Sequence, residues 1–282
     1  MTNLRVSVTE LDTWLECKVK WYYSWKLGLR PVADEEDGVS PLISGRTVDF
    51  GVQAGLLREP GQDALSVAFR AAALYLAQHG EKATKYIRGV EAAISGMPQA
   101  MWDVVSPQSQ HKMEIPWGPV TFVGKPDLWY MTENGIYIVD FKSTSKDEWE
   151  RLLLMQTTNL QPQIYAVLLN EWLLNQGKTV PPLYATHLVL STRGKHAYGV
   201  PRLVSPEHIS ALSGRIDSVV AEMVRMADPL AAMSPVERLY NHGRISYACR
   251  GCDFFAIDEG GLTGADMSDI IATRFEGRKA TA

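Results

Sequence analysis

The sequence has few cysteines, no long hydrophobic run and no marked excess of one charge. Three cysteines among 282 residues are too few, and uneven in number, for a framework of disulfide bonds. No apolar stretch approaches the ~20 residues that span a bilayer. The first residues, MTNLRVSVTELD, lack the basic start and apolar core of a secretion signal. We therefore expect a cytoplasmic protein without a membrane segment.

The charge balance excludes some functions and leaves others open. The formal net charge is −4, whereas a protein that coats nucleic acid needs clustered lysine and arginine to neutralise phosphates. An enzyme that approaches phosphates through bound cations remains compatible, because the carboxylates that hold cations add negative charge. The sequence contains neither a G-x-x-x-x-G-K-S/T phosphate loop nor a G-x-S-x-G nucleophile motif. It is therefore not expected to be an ATPase or a serine hydrolase of those types.

The hydrophobic periodicity changes near residue 105. Up to that point the apolar residues recur at helical spacing, and residues 9–27 are predicted as the first helix. Thr9 is its predicted N-cap, with Asp12 three positions on in a partial capping box. Beyond residue 105, alternating runs predict strands, and two helices are predicted over 160–177 and 205–226.

This change of pattern predicts how the chain is organised. We expect a single α/β domain over 1–260, with a mostly helical part over 1–105. The sheet core and a C-terminal cysteine motif then occupy 106–260, and a flexible tail covers 261–282.

Residues 111–144 contain three short apolar runs. The separators are Trp117-Gly118 and Glu133-Asn134-Gly135. Because Asn-Gly between apolar runs is a strong hairpin signal, the pattern predicts three consecutive antiparallel strands.

Two carboxylates and one ammonium group are predicted to meet on these strands. Asp140 and Lys142 are two residues apart and share one face of a strand, while Asp127 begins the preceding strand. Carboxylate oxygens are preferred ligands of Mg²⁺ and Mn²⁺, and a neighbouring ammonium can stabilise a phosphoryl transition state. An ordinary salt bridge in a hairpin is the alternative. Pro126 directly before Asp127, and the apolar pair before Asp140, favour the functional interpretation.

This stretch resembles the PD-(D/E)xK nuclease superfamily, with Pro126-Asp127 and Asp140-Phe141-Lys142 as the signature. More narrowly it resembles the RecB-type branch, which includes AddB-like nucleases, CRISPR-associated exonucleases and phage recombination exonucleases. That branch carries Q-x-x-x-Y on the next helix, matched here by Gln161 and Tyr165. The resemblance implies a restriction-endonuclease-like core, a central mixed sheet flanked by helices, here with a helical N-terminal annex.

The resemblance also implies a set of metal ligands. The family has an upstream G-x-x-x-H motif, and this chain has Gly45 followed by Asp49 at the position of the histidine. Asp49 is therefore expected to join Asp127, Asp140 and the Phe141 carbonyl around Mg²⁺ or Mn²⁺. Glu114, on the first predicted strand, is a further candidate ligand. For Asp49 and Glu114, a solvent-exposed carboxylate is the alternative.

The cysteines match a second feature of the same branch. AddB-like and CRISPR-associated members hold a 4Fe–4S cluster with one N-terminal cysteine and a C-terminal C-x₂-C-x₅-C motif. Cys17, Cys249 and Cys252 match three positions, and Asp258 stands at the fourth. The alternatives are a labile cluster on three thiolates, a structural Zn²⁺ completed by Asp258 or His242, and ordinary buried cysteines.

Two segments could contact nucleic acid. In the first helix, basic residues alternate with aromatic ones, a pattern that suits single strands, although helical periodicity assigns part of the aromatic set to the core. Trp21 and Trp25 are assigned to packing before stacking. The whole set is Lys18, Lys20, Trp21, Tyr22, Tyr23, Trp25, Lys26 and Arg30. The predicted turn over 193–196 carries Arg193, Lys195 and His196, and is the second candidate.

The resemblance implies a metal-dependent DNA exonuclease that acts in recombination, repair or replication. Its substrates would be DNA ends, single-stranded or resected duplex, and a helicase or recombinase is a candidate partner. One alternative is a catalytically weak or inactive module that binds DNA or a helicase, favoured by the histidine-to-aspartate departure at Asp49. Another is an endonuclease for structured DNA.

Overall fold

The computed structural model describes residues 4–31, 41–80, 86–144, 160–234, 237–238, 252, 254–263 and 266–277, with only the backbone for 31, 41, 42, 258, 261 and 262. Its helices are α1 (Val8–Glu16), α2 (Lys18–Trp21), α3 (Pro41–Leu56), α4 (Ala64–Ala77), α5 (Ile87–Ser95), α6 (Gln99–Trp102), α7 (Gln161–Leu174), α8 (Pro206–Ala232), α9 (Phe255–Thr263) and α10 (Met267–Arg274). Its strands are β1 (Leu4–Ser7), β2 (Leu29–Pro31), β3 (Gln108–Ser109), β4 (Met113–Trp117), β5 (Val120–Gly124), β6 (Leu128–Thr132), β7 (Gly135–Thr144), β8 (Leu183–Ser191), β9 (Ala197–Tyr198), β10 (Arg202–Val204) and β11 (Phe275–Gly277).

The first helix begins earlier than predicted and is interrupted. Ser7, not Thr9, is the N-cap. Its hydroxyl accepts from the Glu10 backbone N–H at 3.1 Å while the Glu10 carboxylate accepts from the Ser7 N–H at 3.4 Å. The predicted continuous helix was also wrong, because Cys17 is extended with φ −163° and separates α1 from α2. A π-helical turn, Tyr22–Lys26, follows α2.

The other predicted helices are confirmed, with small changes at their ends. Helices α3, α4 and α5 form in the predicted helical stretches before residue 105, and α7 covers most of residues 160–177. Helix α8 continues past the predicted residue 226 to Ala232 and includes Pro229 near its last turn.

The central sheet is mixed, as predicted. Its strand order is β10-β8-β7-β6-β3, and β9 pairs with β8. Strands β6 and β7 form an antiparallel hairpin, whereas β7 and β8 run parallel, with Asp140 opposite His187. The helix α7 between β7 and β8 provides the crossover that a parallel pair requires.

The prediction of three strands over 111–144 was wrong, because four strands form two hairpins. Strands β4 and β5 pair around Trp117-Gly118, and β6 and β7 pair around residues 133–135. The middle run divides after Gly124, where Pro126 has no N–H to donate to a ladder. As a result Asp127 directly precedes β6, at the start of the β6–β7 hairpin.

Helices cover the central sheet on both faces. Helices α3, α4 and α5 pack against Val139 and Phe141 of β7 in one buried cluster. Strand residues that alternate with these two point to the other face. Helix α7 packs against β7 and β8 with residues outside that cluster, so it covers this second face. The observed architecture is the predicted mixed α/β fold.

The chain divides into two compact units, Glu35–Leu212 and Met1–Asp34 together with Ser213–Ala282. In the second unit a segment from the first 34 residues contacts a segment from the last 70. Strand β2 pairs with β11, and the Tyr23 ring stacks on Phe254 at 5.7 Å between centroids. Residues 266–277, for which the sequence offered no pattern, form α10 and β11. The division into a domain over 1–260 and a flexible tail stays a prediction. Within the described ranges, no helix is long and apolar enough to cross a membrane.

Candidate active site

Asp127 is held by both its main chain and its side chain. Its carbonyl accepts from the Ser109 hydroxyl at 3.0 Å and from the Gln110 N–H at 3.2 Å. Its Oδ1 accepts from Gln110 Nε2 at 2.8 Å, and its Oδ2 accepts from the Phe141 N–H at 2.8 Å. The last bond ties Asp127 to β7, the strand that carries Asp140.

Gln110 is a residue that the sequence did not reveal. Its backbone is left-handed, with φ 51°, a conformation that costs a residue with a Cβ about 1–2 kcal/mol. The two hydrogen bonds from Gln110 to Asp127 offset this cost and orient the carboxylate. A glutamine carries no sequence signal for a left-handed backbone, so only the structure identifies it.

Asp140 is buried and is contacted by two cationic or potentially cationic groups at the same oxygen. Lys142 Nζ lies 2.8 Å from Asp140 Oδ2, and His187 Nδ1 lies 2.9 Å from it. Within the described part of the chain, Asp140 Oδ1 accepts no hydrogen bond. This arrangement leaves Oδ1 as the oxygen of Asp140 that can contact a ligand.

Lys142 connects the strand to the helix that follows it. Besides its ion pair with Asp140, Lys142 Nζ donates to Gln161 Oε1 at 3.2 Å. Gln161 is the first residue of α7, so it belongs to the same hydrogen-bonded group. Tyr165, one turn further on, is buried and packs near Gly124 of β5. The structure therefore joins Gln161 to the Asp140–Lys142 pair.

Asp49 lies on α3, within electrostatic reach of the other carboxylates. Burial, followed by the charges of Asp127 and Asp140, raises the pKa of Asp49 to about 7 against the opposing charge of Lys142. Burial, followed by the charge of Asp140, likewise raises the pKa of Asp127 to about 7. Three carboxyl groups thus share one site, and two of them resist ionisation near neutral pH.

The third carboxyl behaves differently. Burial alone would raise the pKa of Asp140, but the hydrogen bond from His187 and the charge of Lys142 outweigh it and lower the pKa. Burial lowers the pKa of Lys142, but the charge of Asp140 and a hydrogen bond to it, then the charge of Asp127, raise it overall. Asp140 is therefore ionised and Lys142 cationic over a wide pH range.

The donor set suits a hard divalent cation. Carboxylate and carbonyl oxygens are the ligands that Mg²⁺ and Mn²⁺ prefer, and an added positive charge would favour ionisation of the two carboxyl groups whose pKa values are raised by burial and by neighbouring carboxylates. No three His, Cys, Asp or Glu side chains of the described residues lie close enough to hold an ion by themselves. This is compatible with Mg²⁺, which usually keeps several waters and binds one or two carboxylates together with substrate phosphates.

The family model described as the PD-(D/E)XK nuclease superfamily matches residues 5–257. The chain belongs to this superfamily. Nucleases of the superfamily typically use Mg²⁺ or Mn²⁺, as the donor set of the site suggests.

Similar solved structures were also found. One is SSO0001, which is 14% identical, with 91% of this chain and 86% of that protein covered and a TM-score of 0.37. Another is a candidate exonuclease from Eubacterium rectale, also 14% identical, with 80% and 82% covered and a TM-score of 0.45. No protein of curated function matches the sequence.

Glu114 lies on a strand outside the sheet that carries this nuclease site. It is on β4, in a different sheet from β6 and β7, and its carboxylate pairs with Lys112 at 2.8 Å. Among the described residues, the hydrogen-bonded group around Asp140 therefore does not include Glu114.

The cysteine motif is only partly described. Cys17 lies between α1 and α2, where its Sγ accepts from the Lys20 N–H at 3.2 Å. Cys252 is described, whereas Cys249, His242 and the side chain of Asp258 lie outside the described residues. Cys17 and Cys252 belong to the same compact unit.

Three aromatic residues of the first predicted helix are buried. Trp21 packs in the core, as predicted, whereas the predicted nucleic-acid contact of Tyr22 and Tyr23 was wrong because both are buried as well. The physical reason is that these rings build the core of their unit, where the Trp21 indole also donates to Glu10 at 3.0 Å. The neighbouring basic residue Lys18 is paired with Glu222.

Proposed function

We propose that this nuclease is a Mg²⁺- or Mn²⁺-dependent exonuclease that hydrolyses phosphodiester bonds at DNA ends. One observation carries the proposal. Asp127 and Asp140 are separated in sequence, but the Phe141 N–H binds Asp127 while Lys142 and His187 bind Asp140, in one hydrogen-bonded group. Such a group provides carboxylates that can bind a cation and an ammonium group that can bind a phosphate.

The proposed direct ligands are Asp127, Asp140 and the Phe141 carbonyl, and Asp49 is proposed to bind a water molecule of the metal. A bound Mg²⁺ or Mn²⁺ would neutralise charge on the attacked phosphate and favour ionisation of water near neutral pH. Within the chain, Gln110 and the Phe141 N–H hold Asp127, and His187 holds Asp140. Each carboxylate oxygen has a second lone pair for a ligand.

Lys142 is the proposed catalytic cation. Its ammonium is held by Asp140 at 2.8 Å and by Gln161 at 3.2 Å, which restricts the directions in which the third N–H can donate. In this role Lys142 would donate to a phosphate oxygen as charge develops there, or orient the attacking water. Gln161 positions Lys142, and Tyr165 is proposed to act with it through the Q-x-x-x-Y motif.

Exonuclease activity and membership of the RecB-type branch are the finer parts of the proposal. They rest on the Q-x-x-x-Y motif, since its Gln161 contacts Lys142 directly. The substrates would be single-stranded ends or resected duplex in recombination, repair or replication. A helicase or recombinase that produces or uses such ends is the proposed partner.

The cysteines are proposed to hold a 4Fe–4S cluster through Cys17, Cys249, Cys252 and Asp258. Support comes from the unit that joins the first 34 residues to the last 70, because both ends of the motif belong to it. The cluster would then clamp the two ends of the chain. Protein purified without oxygen should be brown and contain iron, whereas colourless protein with stoichiometric zinc would identify a zinc site instead.

The proposed activity can be tested with labelled DNA. Wild-type protein with Mn²⁺ should release nucleotides from linear DNA and leave covalently closed circles intact, and EDTA should stop the reaction. Asp140→Asn is the matched inactive control. Cleavage of closed circles would instead support an endonuclease, and DNA binding without any cleavage would support the non-cutting module.

A further inference from the structure

A cavity of about 190 Å³ lies between the first turn of α7, strand β8 and strand β10. Its volume is several times the ≈30 Å³ that a water molecule occupies in the liquid. Its lining includes the side chains of Gln163, His187, Val200, Arg202, Leu203 and His208.

The cavity shares one side chain with the site that contains Asp127 and Asp140. His187 lines the cavity and at the same time places its Nδ1 2.9 Å from Asp140 Oδ2. At the α7 end, Gln163 lines the cavity two residues after Gln161, which accepts from Lys142. One side chain therefore separates the cavity from the proposed catalytic groups.

The cavity is lined by basic side chains, whereas the site around Asp140 is rich in carboxylates. Arg202 and His208 line it, and of the described residues that surround it none is an aspartate or glutamate. The Arg202 side chain is exposed on β10 and makes no ion pair or hydrogen bond with any residue that the structure describes. In a chain of net charge −4, such an arginine can bind a phosphate without first breaking an internal ion pair.

Two exposed apolar side chains line the cavity close to Arg202 in the sequence. Val200 and Leu203, 60% and 53% exposed, lie on either side of it in the sequence. An exposed apolar rim beside a cationic group fits a ligand with an apolar face and an anionic group. A nucleotide of a DNA strand has both.

We propose that this cavity binds a nucleotide adjacent to the phosphodiester that is cleaved. Arg202 contacts the phosphate of that nucleotide, and Val200 and Leu203 contact its sugar or base. The proposal rests on the proposed nuclease function and extends it to a specific substrate subsite. It assigns to Arg202 a binding role for long substrates and no role in bond cleavage.

Kinetics can separate this subsite from the catalytic groups. Arg202→Gln should raise KM for a single-stranded oligonucleotide about tenfold, the effect of losing one charged hydrogen bond. The same variant should hydrolyse thymidine 5′-(p-nitrophenyl) phosphate, which lacks the adjacent nucleotide, as well as wild type does. Arg70→Gln, at an exposed arginine of α4, is the matched control and should change neither reaction. Equal oligonucleotide KM values for wild type and Arg202→Gln would overturn the proposal.

Binding supplies a readout that does not depend on cleavage. A fluorescent oligonucleotide titrated with Ca²⁺-loaded protein should bind Arg202→Gln more weakly than wild type or Arg70→Gln. The dependence of log affinity on log salt should be shallower by about 0.7 for one lost contact to a single strand. An unchanged salt slope would contradict the subsite. If wild type bound DNA but cleaved nothing with Mn²⁺, the proposed function would fail, and this slope would still decide the subsite.

Discussion

His187 Nδ1 lies 2.9 Å from Asp140 Oδ2, across the parallel pair β7 and β8. An ionised carboxylate can only accept hydrogen bonds, so Nδ1 must carry the proton in this contact. Because Lys142 contacts the same Oδ2 at 2.8 Å, the two donors turn Oδ1 away from themselves. His187 thereby fixes the orientation of a proposed metal ligand.

Replacing His187 tests this orientation. His187→Leu removes the donor but fills the space, and it should weaken Mn²⁺ binding about 10- to 100-fold, as is usual when the partner of a metal ligand is lost. His187→Asn restores an N–H close to the position of Nδ1 and should recover much of that affinity. Calorimetric titration with Mn²⁺ measures both. If leucine and asparagine were equally harmful, the hydrogen bond would not be the cause.

Gln110 offers a test that separates its effect on metal binding from its effect on stability. Gln110→Ala and Gln110→Gly both lose the amide that donates to Asp127 Oδ1 at 2.8 Å, so both should weaken Mn²⁺ binding about tenfold or more. Glycine adopts φ 51° without strain. The glycine variant should therefore unfold with a free energy about 1 kcal/mol higher than the alanine variant. Urea unfolding measures this difference, and a more stable alanine variant would show that the left-handed backbone is not strained.

The stability of the metal-free protein should depend on pH through Asp49. The carboxyl has an ordinary pKa of 3.8 when unfolded and about 7 when folded. Between these values the folded state keeps the proton and the unfolded state loses it, so the free energy of unfolding falls as pH rises. The fall is at most about 1.4 kcal/mol per pH unit for this group. Asp49→Asn should remove this contribution.

The matching measurement is urea unfolding in EDTA across that pH window. Wild type should lose stability relative to Asp49→Asn as pH rises, and Mn²⁺ should restore wild type most at the upper end. Parallel pH profiles for the two proteins would contradict the raised pKa.

Close packing between α3 and α4 should be sensitive to a single methyl group. A Cβ at Gly55 would lie 2.6 Å from Trp102 and 2.8 Å from the Ala64 carbonyl, whereas a Cβ at Gly214 in α8 would meet nothing within 4 Å. Gly55→Ala should lower the free energy of unfolding by about 1–3 kcal/mol because the helix carrying Asp49 must shift. Gly214→Ala should raise it by up to about 1 kcal/mol. Denaturant unfolding of the two variants measures these changes in the free energy of unfolding. A Gly55→Ala protein as stable as wild type would refute the close packing.

The grouping of Asp140 and Lys142 could be predicted from the sequence because strand alternation is a local property. His187 could not be predicted in this way. It is 47 residues beyond Asp140, and the two meet only because β8 pairs with β7 in one particular parallel register. That register depends on how α7 packs, which no short pattern encodes.

The errors in the fold prediction have local causes. Ser7 and Thr9 each precede an acidic residue by three positions, and only the longer Glu10 side chain reaches back to the N-cap in the structure. In the sheet, the prediction treated residues 120–132 as one apolar run, although Lys125, Pro126 and Asp127 interrupt it between the two strands. A pattern of alternation does not distinguish one long strand from two strands in different sheets.

The most direct test of the central claim is the single-turnover rate of DNA hydrolysis by Lys142→Met in Mn²⁺. Wild type should release nucleotides from end-labelled linear DNA. The variant should be slower by at least about 10²-fold, the effect of removing one group that stabilises transition-state charge. Its Mn²⁺ affinity should be unchanged or higher, because Asp140 loses a competing cation. A variant that digested DNA at the wild-type rate would contradict the account.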